Sequence, residues 1–576
     1  MTNYQFTGGT ICAPATIPGT GAISIIRVSG KESLAIADKV IDTKGVPIAE
    51  TEGYRLRYGT VFEADGSVLD NVIVSVFRAP HSYTGENSVE ISCHASRFIV
   101  NKILELLVNA GARIAAPGEF TRRAFVNGKM DLAQAEAVAD VIASQSAASH
   151  RVAMNQLKGG FSSELKVLRE KLLTMTSLLE LELDFSEEDV EFASRKELGQ
   201  LVDDSLTHIG RLTASFSRGN AIKNGVPVAI VGATNTGKST LLNALLGEER
   251  AIVSDIAGTT RDTIEETLNI DGILFRFIDT AGIRETDETI EKIGIDRTFK
   301  KLGEAAVVLG MTDLSRGEAA VLEDADFILS KVNEIGGVKN DGAVNDGSET
   351  GGAPLAETDG AHPAETGGAP RAGTDGTPQV ETSGASLAET DRNSRSETGG
   401  ASQHGHGDGQ ERKVVILVNK CDVAGDFYRD DNDTGDGSDN DLGENMAELG
   451  GNKNVNHDNN IVSLIENKYD NCKVIPISAK TGKGLSTLTK TLGEIGSEIT
   501  GSTDETLVTN VRHYEALVRA ASALERVRTG LHIATLPPDL IAQDLREALY
   551  HLGEIVGEIS TDETLGKIFR NFCIGK

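Results

Sequence analysis

The segment from Val228 to Leu246 constrains this chain more than any other. Val228-Ala-Ile-Val231 is a short apolar run of the kind that forms a buried strand, and Gly232-Ala-Thr-Asn-Thr-Gly237-Lys238-Ser239 follows at once. A leucine-rich helical pattern comes next, with Leu241, Leu242, Leu245 and Leu246. Strand, loop and helix in that order are the setting in which G-x-x-x-x-G-K-[ST] curls main-chain N–H groups around phosphates. The helix N-terminus adds positive potential. Lys238 can reach the β- and γ-phosphates and the Ser239 hydroxyl can ligate magnesium, while Asn235, Thr236, Gly237 and Thr240 complete the predicted cradle. The expected setting is an α/β domain.

Further elements follow in the order a nucleotide switch demands. Asp279-Thr280-Ala281-Gly282 closes a predicted strand over 273–278; its carboxylate can hold the magnesium shell and the Gly282 N–H can meet a γ-phosphate. In Gly258-Thr-Thr-Arg-Asp262, either Thr259 or Thr260 can supply a second hydroxyl to magnesium. Asn419-Lys420-Cys421-Asp422 ends another strand, and Asp422 can accept both N–H donors of guanine, which adenine does not present. Ser478-Ala479-Lys480 can cover the base. Each short motif is weak alone; five in order, each at a strand end, point to a guanine nucleotide. Ile283 occupies the position where a water-orienting Gln often sits, so hydrolysis must borrow a polar group or a bound cation. Asn235 can offer a carbonyl oxygen to a monovalent cation, or serve as a turn-former in a tight loop.

With 576 residues the chain exceeds a single core. Residues 1–117 alternate β-rich runs (Ala22–Val28, Val72–Phe77) with one amphipathic helix near Arg97–Ala110, an α+β pattern. Residues 118–220 carry a helical stripe, Phe161, Leu165, Leu168, Leu172, Met175, Leu179 and Leu183. The pattern returns over 501–576 with Leu517, Leu524, Leu531, Leu545, Leu549, Leu552, Val556 and Ile559. The economical arrangement is one all-α domain split in sequence, with an α/β phosphate-loop domain over 221–500 inserted between its halves.

The net charge of −30 argues against nucleic acid as a partner only if it is evenly spread, because phosphate binding rests on Lys and Arg. It is not. Residues 341–410 and 423–470 each hold twelve acidic and three basic groups, so they account for 18 of the 30 negative charges. The first stretch repeats themes such as SETGGAP and AETDG without an aromatic residue, and 340–411 and 424–460 are expected to be disordered inserts. Five scattered cysteines without CxxC pairs argue against a disulfide framework and a structural zinc site. No run of 18 apolar residues occurs and Met1–Thr10 lacks a signal layout, so a cytoplasmic protein that neither spans nor binds a membrane is expected.

The nucleotide motifs, the split helical pattern and the terminal Phe572-Cys573-Ile574-Gly575-Lys576 closely resemble the MnmE (TrmE) family of tRNA modification GTPases. Ala13-Pro14-Ala-Thr-Ile-Pro-Gly19, Ser82-Tyr-Thr-Gly85-Glu86, Pro117-Gly-Glu-Phe-Thr-Arg-Arg-Ala-Phe125 and Lys129-Met-Asp-Leu-Ala-Gln-Ala-Glu-Ala137 agree with it. The resemblance spans nearly the whole chain apart from the insert. It implies a homodimer that pairs with an FAD-dependent, MnmG-type partner in a heterotetramer. The pair would install an aminomethyl-type (carboxymethylaminomethyl) group on C5 of the wobble uridine of certain tRNAs. A tetrahydrofolate derivative, 5-formyl or methylene, would be bound by Arg27, Glu90, Lys129 and Lys576 in the N-terminal domain.

The resemblance also implies potassium-stimulated hydrolysis. Asn235, Ser254, Ile256 and Thr259 would contact the ion in a loop that includes Asp255, Ala257 and Gly258, and Thr260 would take the magnesium role beside Ser239. Glu291 would replace the missing Gln through a bridging water, with Lys238 and Gly282 as the other catalytic groups. Cys573 matches the family's C-terminal Cys, and is either a catalytic thiol or packing. The sequence departs from the family at Thr234, where Pro is usual, and at the insert, which lies between strands of the GTPase domain. A ribosome-assembly switch that only binds RNA is the alternative; the C-terminal helical block lacks the basic GXXG loop such proteins carry.

Overall fold

Strand-forming runs near the N-terminus build a seven-stranded sheet. A computed structural model describes residues 8–184, 194–249, 266–278, 302–336, 412–422, 460–469, 472–501, 505–532, 537–559, 561–570, 572 and 575. The first sheet comprises β1 (Ile11–Pro14), β2 (Gly21–Ser29), β3 (Ile41–Asp42), β4 (Arg55–Phe62), β5 (Val68–Phe77), β6 (Ser88–Ala95) and β7 (Arg113–Ile114), in the order β3-β4-β5-β6-β2-β1-β7. All pairings are antiparallel except β1 with β7. Strict alternation along β5 sends Val72, Val74 and Val76 to one face, where α1 (Ser33–Val40) and α2 (Arg97–Asn109) close a core that includes Ile103 and Leu107. The opposite face is different. There Leu56, Tyr58 and Ile73 stand exposed, with Tyr58 directly across from Ile73.

The second sheet holds the phosphate loop. It comprises β8 (Val226–Gly232), β9 (Glu266–Ile270), β10 (Ile273–Ile278), β11 (Val307–Asp313), β12 (Lys413–Asn419) and β13 (Cys472–Pro476), in the order β13-β12-β11-β8-β10-β9. Every pairing is parallel except β9 with β10. The continuous burial of β8, β11 and β12 is what a parallel sheet covered on both faces requires. Its covers include α8 (Lys238–Glu249), α9 (Glu318–Gly336), α10 (Asn460–Lys468) and α11 (Leu485–Thr500).

The remaining helices are α3 (Glu119–Val126), α4 (Leu132–Ala143), α5 (Ala147–Leu157), α6 (Gly160–Asp184), α7 (Arg195–Asn224), α12 (Val511–Leu531), α13 (Pro538–Val556) and α14 (Asp562–Arg570). Phe161, Leu165 and Leu172 share one core with Leu517, Leu524, Leu545 and Leu552, so segments on both sides of the second sheet pack together. Ile559 does not join them. Gly557, at φ +83, caps α13 at Val556, and its missing side chain admits Phe125 and Leu132 at 2.8 and 2.7 Å from where a Cβ would stand.

Helix α7 runs into β8 through Gly225 alone, at φ +90. Beside this joint the β9–β10 turn rests on the helices: Ala148 N–H donates to the Gly272 carbonyl at 3.3 Å, and Asn269 Nδ2 donates to the Gln145 carbonyl at 2.9 Å. A cavity of about 260 Å³ lies at the same junction, lined among others by Asp140, Lys223, Ser149, Thr267 and Thr509. Among the described residues, no helix is long and apolar enough to cross a membrane.

Candidate nucleotide-binding site

The loop after β8 is shaped by three backbone conformations that few residues tolerate. Gly232 and Gly237 sit at φ +152 and +101, and a Cβ would overlap the Met311 carbonyl at the first and Asn419 Nδ2 at the second. Asn235 adopts φ +64 with an exposed side chain. Asn is among the few residues with a Cβ that enter the left-handed region readily, so its backbone fits the turn-forming reading. Thr236 is buried and its hydroxyl donates to the Ala233 carbonyl at 2.9 Å.

Lys238 opens α8. Its ammonium donates to the carbonyls of Gly232 at 2.9 Å and Ala233 at 2.7 Å, which places a cation at the mouth of the loop. Burial holds the ammonium below the ordinary lysine range. Ser239 follows on the first turn, half-buried, and Thr240 is exposed.

Asn419 joins this loop to the opposite side of the site. Its Nδ2 donates to the Thr236 carbonyl at 2.7 Å, and its Oδ1 accepts from the Ala479 N–H at 3.0 Å. One buried amide thus staples the loop after β8 to the loop after β13. The second loop is itself ordered: Ser478 N–H donates to the Lys483 carbonyl at 2.9 Å and Thr481 N–H to Ser478 Oγ at 3.3 Å. Ser478 and Ala479 are buried, whereas Lys480 and Asp422 are exposed. Lys420 pairs with Asp313 at 2.6 Å. Sequence reasoning missed Asp313, because nothing in its neighbourhood announces a partner 107 residues away.

The predicted groups Ser254, Asp255, Ile256, Ala257, Gly258, Thr259, Thr260, Asp279, Thr280, Ala281, Gly282 and Glu291 lie outside the described residues, as do the insert 340–411, residues 424–459 of the second insert, Cys573 and Lys576; Asn460, expected in that insert, opens α10 instead. The thiols of Cys12, Cys93, Cys421 and Cys472 are each pushed up to about 11 by burial, so they are neutral and unreactive near pH 7.

A second polar site lies on the first sheet. Arg27 and Glu90 are direct cross-strand partners, with Arg27 Nε donating to Glu90 Oε1 at 2.9 Å. The guanidinium also rests 5.1 Å from the Tyr83 ring and 5.6 Å from the Phe120 ring. Lys129 does not join this pair; its ammonium donates to the Pro80 carbonyl at 3.0 Å. Gly575 packs onto Pro14, where a Cβ would overlap the Pro14 carbonyl, and the neighbouring Ala13 is registered with Arg27. The chain's C-terminal segment therefore reaches the strand beside the Arg27–Glu90 pair. Beneath it, Arg123 is buried at 2% exposure between Glu86 at 2.9 Å and Glu119 at 3.1 Å, an ion network that sequence reasoning did not single out.

Comparison with known proteins agrees with this anatomy. Residues 10–129 match the family described as GTP-binding protein TrmE N-terminus, and residues 132–573 match the MnmE helical domain. The tRNA modification GTPase MnmE of Parabacteroides distasonis is 43% identical over 570 residues, covering 98% of this chain and all of that protein. Its namesakes from Bacteroides thetaiotaomicron and Phocaeicola vulgatus are 42% and 41% identical, each covering 98% of this chain and 99% of its relative. With a family match across most of the chain and relatives aligned end to end, the chain belongs to the MnmE (TrmE) family of tRNA modification GTPases.

Proposed function

We propose that this protein binds and hydrolyses GTP and that its nucleotide cycle serves modification of the wobble uridine of tRNA. The observation that carries the nucleotide reading is the Asn419 staple, which sets a phosphate-wrapping loop and a base-side loop at the two ends of one site. Lys238 holds the β- and γ-phosphates, Asp422 accepts from the guanine N–H donors, and Ser478, Ala479 and Lys480 cover the base. The domain limits follow as 1–117, 118–220, 221–500 and 501–576, with the GTPase domain inserted into the helical one.

Magnesium fits Ser239, the hydroxyl that opens α8 behind Lys238, together with Thr260; when bound, the ion neutralises charge that builds on the β- and γ-phosphate oxygens. Potassium fits Asn235, whose left-handed backbone leaves its amide exposed, with Ser254, Ile256 and Thr259. Glu291, acting through a bridging water, stands in for the Gln absent at Ile283. On the first sheet, the Arg27–Glu90 pair offers a donor and an acceptor side by side, which suits the carboxylates and ring nitrogens of a tetrahydrofolate derivative. The exposed Leu56, Tyr58 and Ile73 share the sheet face of that pair through the row Leu56, Ser75, Glu90, Arg27, and they support a homodimer formed there. An FAD-dependent, MnmG-type enzyme is the second protein of the assembly.

Two measurements test the reading. Calorimetry should show GTP and GDP binding that ATP does not compete away. Mass analysis of tRNA nucleosides from cells lacking the protein should show wobble uridines without the aminomethyl-type group; unchanged nucleosides would remove the tRNA role.

A further inference from the structure

Asp313 ends β11, the strand next to β12, and its register partner across the pair is Asn419. Its carboxylate is 7% exposed, and both oxygens are engaged. Oδ2 accepts from the Lys420 ammonium at 2.6 Å, while Oδ1 accepts from the Ser315 N–H at 3.0 Å and the Ser315 hydroxyl at 2.5 Å. Burial works against the ionised carboxylate, yet the bonds from Lys420 and Ser315 prevail and hold it below the usual carboxylate range. The carboxylate is ionised near pH 7 and is poorly reached by water.

Lys420 lies between the staple Asn419 and the base-reading Asp422, and its backbone sits at φ +67. A residue with a Cβ enters that region only against steric resistance, so the turn needs partners that keep it there. Cys421 supplies one, its N–H donating to the Ile477 carbonyl at 3.3 Å. The Asp313 carboxylate supplies the other, through the side chain.

We propose that Asp313 is a positioning residue for guanine recognition: by clamping Lys420 it fixes the turn that presents Asp422 to the base, and so sets nucleotide affinity. This rests on the reading that the turn after β12 contacts the base. Asp313 itself touches no nucleotide. Asp313→Asn keeps an acceptor for Ser315 but removes the charge that Lys420 answers, so the turn is loosened without opening a cavity.

The test uses the full chain, fluorescent GDP dissociation and steady-state GTP turnover. Asp313→Asn should raise the KM for GTP and the GDP dissociation rate about tenfold, equivalent to about 1.4 kcal/mol. Turnover at saturating GTP and the melting temperature should stay near those of the unaltered protein. Asp313→Glu should recover part of the affinity. Lys420→Met should weaken binding similarly, and the double variant should be no weaker than Lys420→Met alone, because the two residues act as one unit. Losses that add in the double variant, an unchanged KM for Asp313→Asn, or a melting point that falls with no split between KM and kcat would each overturn the proposal. Asp422→Asn, assayed with XTP beside GTP, separates the two readings. If it fails to shift preference toward XTP, the base-reading assignment falls and this inference with it. If it does shift while Asp313→Asn is silent, only the role of Asp313 falls.

Discussion

Asn419 and Gly237 show how single atoms hold the nucleotide site open in the right shape. Gly237 must be glycine on two counts: its φ of +101 lies where residues with a Cβ are strained, and Asn419 Nδ2 occupies the space a side chain would need. Gly237→Ala should therefore weaken GTP binding by ten- to a hundredfold, about 1.4–3 kcal/mol, and lower the melting temperature of the free protein as well; equal GTP affinity in calorimetry would contradict it. Asp422→Asn should move preference from guanosine toward xanthosine nucleotides, since an amide offers one acceptor and one donor where the carboxylate offers two acceptors. The glycines and the lysine of this loop were legible in the sequence because the motif is local. Asn419 was legible as a base-side residue, but its grip on Thr236, 183 positions away, was not. Spacing along the chain carries no information about which of two loops a side chain will bridge.

Between α4, α12 and α13 lies a buried polar cluster that no periodicity announced. Glu136 receives Arg512 Nε and one Arg512 terminal nitrogen at 2.9 Å each, and His513 Nε2 lies 2.7 Å from Glu136 Oε2. His513 is fully buried, and burial, outweighing the pull of Glu136, keeps its imidazole below the ordinary range. Neutral near pH 7, it satisfies Glu136 only with its proton on Nε2. Burial opposes the charge on Glu136 as well, but His513 and Arg512 prevail and bring its pKa down to about 2. A folded-state value below the ordinary 4.5 means that this stabilisation is complete above about pH 4.5 and fades as pH falls toward 2. Glu136→Gln should cost about 3 kcal/mol in urea unfolding at pH 7, and should flatten the acid limb of the stability curve. A variant as stable as the original, or an unaltered acid limb, would show the cluster to be inconsequential. The helices themselves were legible from their apolar stripes, and Ile559 shows the limit of that reading: the stripe continued past Gly557, but the helix did not. Glu136 and Arg512 lie 376 residues apart, so only the packing of the two helical halves reveals them as partners.

At the scale of the whole molecule, the exposed Leu56 and Tyr58 predict association. Leu56→Glu combined with Tyr58→Asp should convert a dimer to a monomer in light scattering, and a dimer that persists would move the contact elsewhere. Replacing potassium by sodium should depress GTP turnover, and indifference to the cation would remove Asn235 from that role. Deleting residues 341–410 should leave folding intact, since loop closure costs only about 0.6 kcal/mol per doubling of length. Low complexity made that stretch conspicuous in the sequence, whereas the exposed sheet face that carries Leu56 and Tyr58 was not readable there. The division into an α+β sheet, a split helical core and a parallel sheet was readable, because each has its own hydrophobic period.

Gly225 turns this arrangement into a lever. Helix α7 counts 30 residues, about 45 Å at 1.5 Å per residue, and one glycine separates its end from the strand that carries the phosphate loop. Were the two bodies to pivot by some five degrees about that glycine, points one helix length away would travel roughly 4 Å on the same 1.5 Å rise. Such a swing would have to break or carry along the bonds from Asn269 to Gln145 and from Ala148 to Gly272, so those two small contacts help set how much of any rearrangement around the phosphate loop reaches the far end of α7.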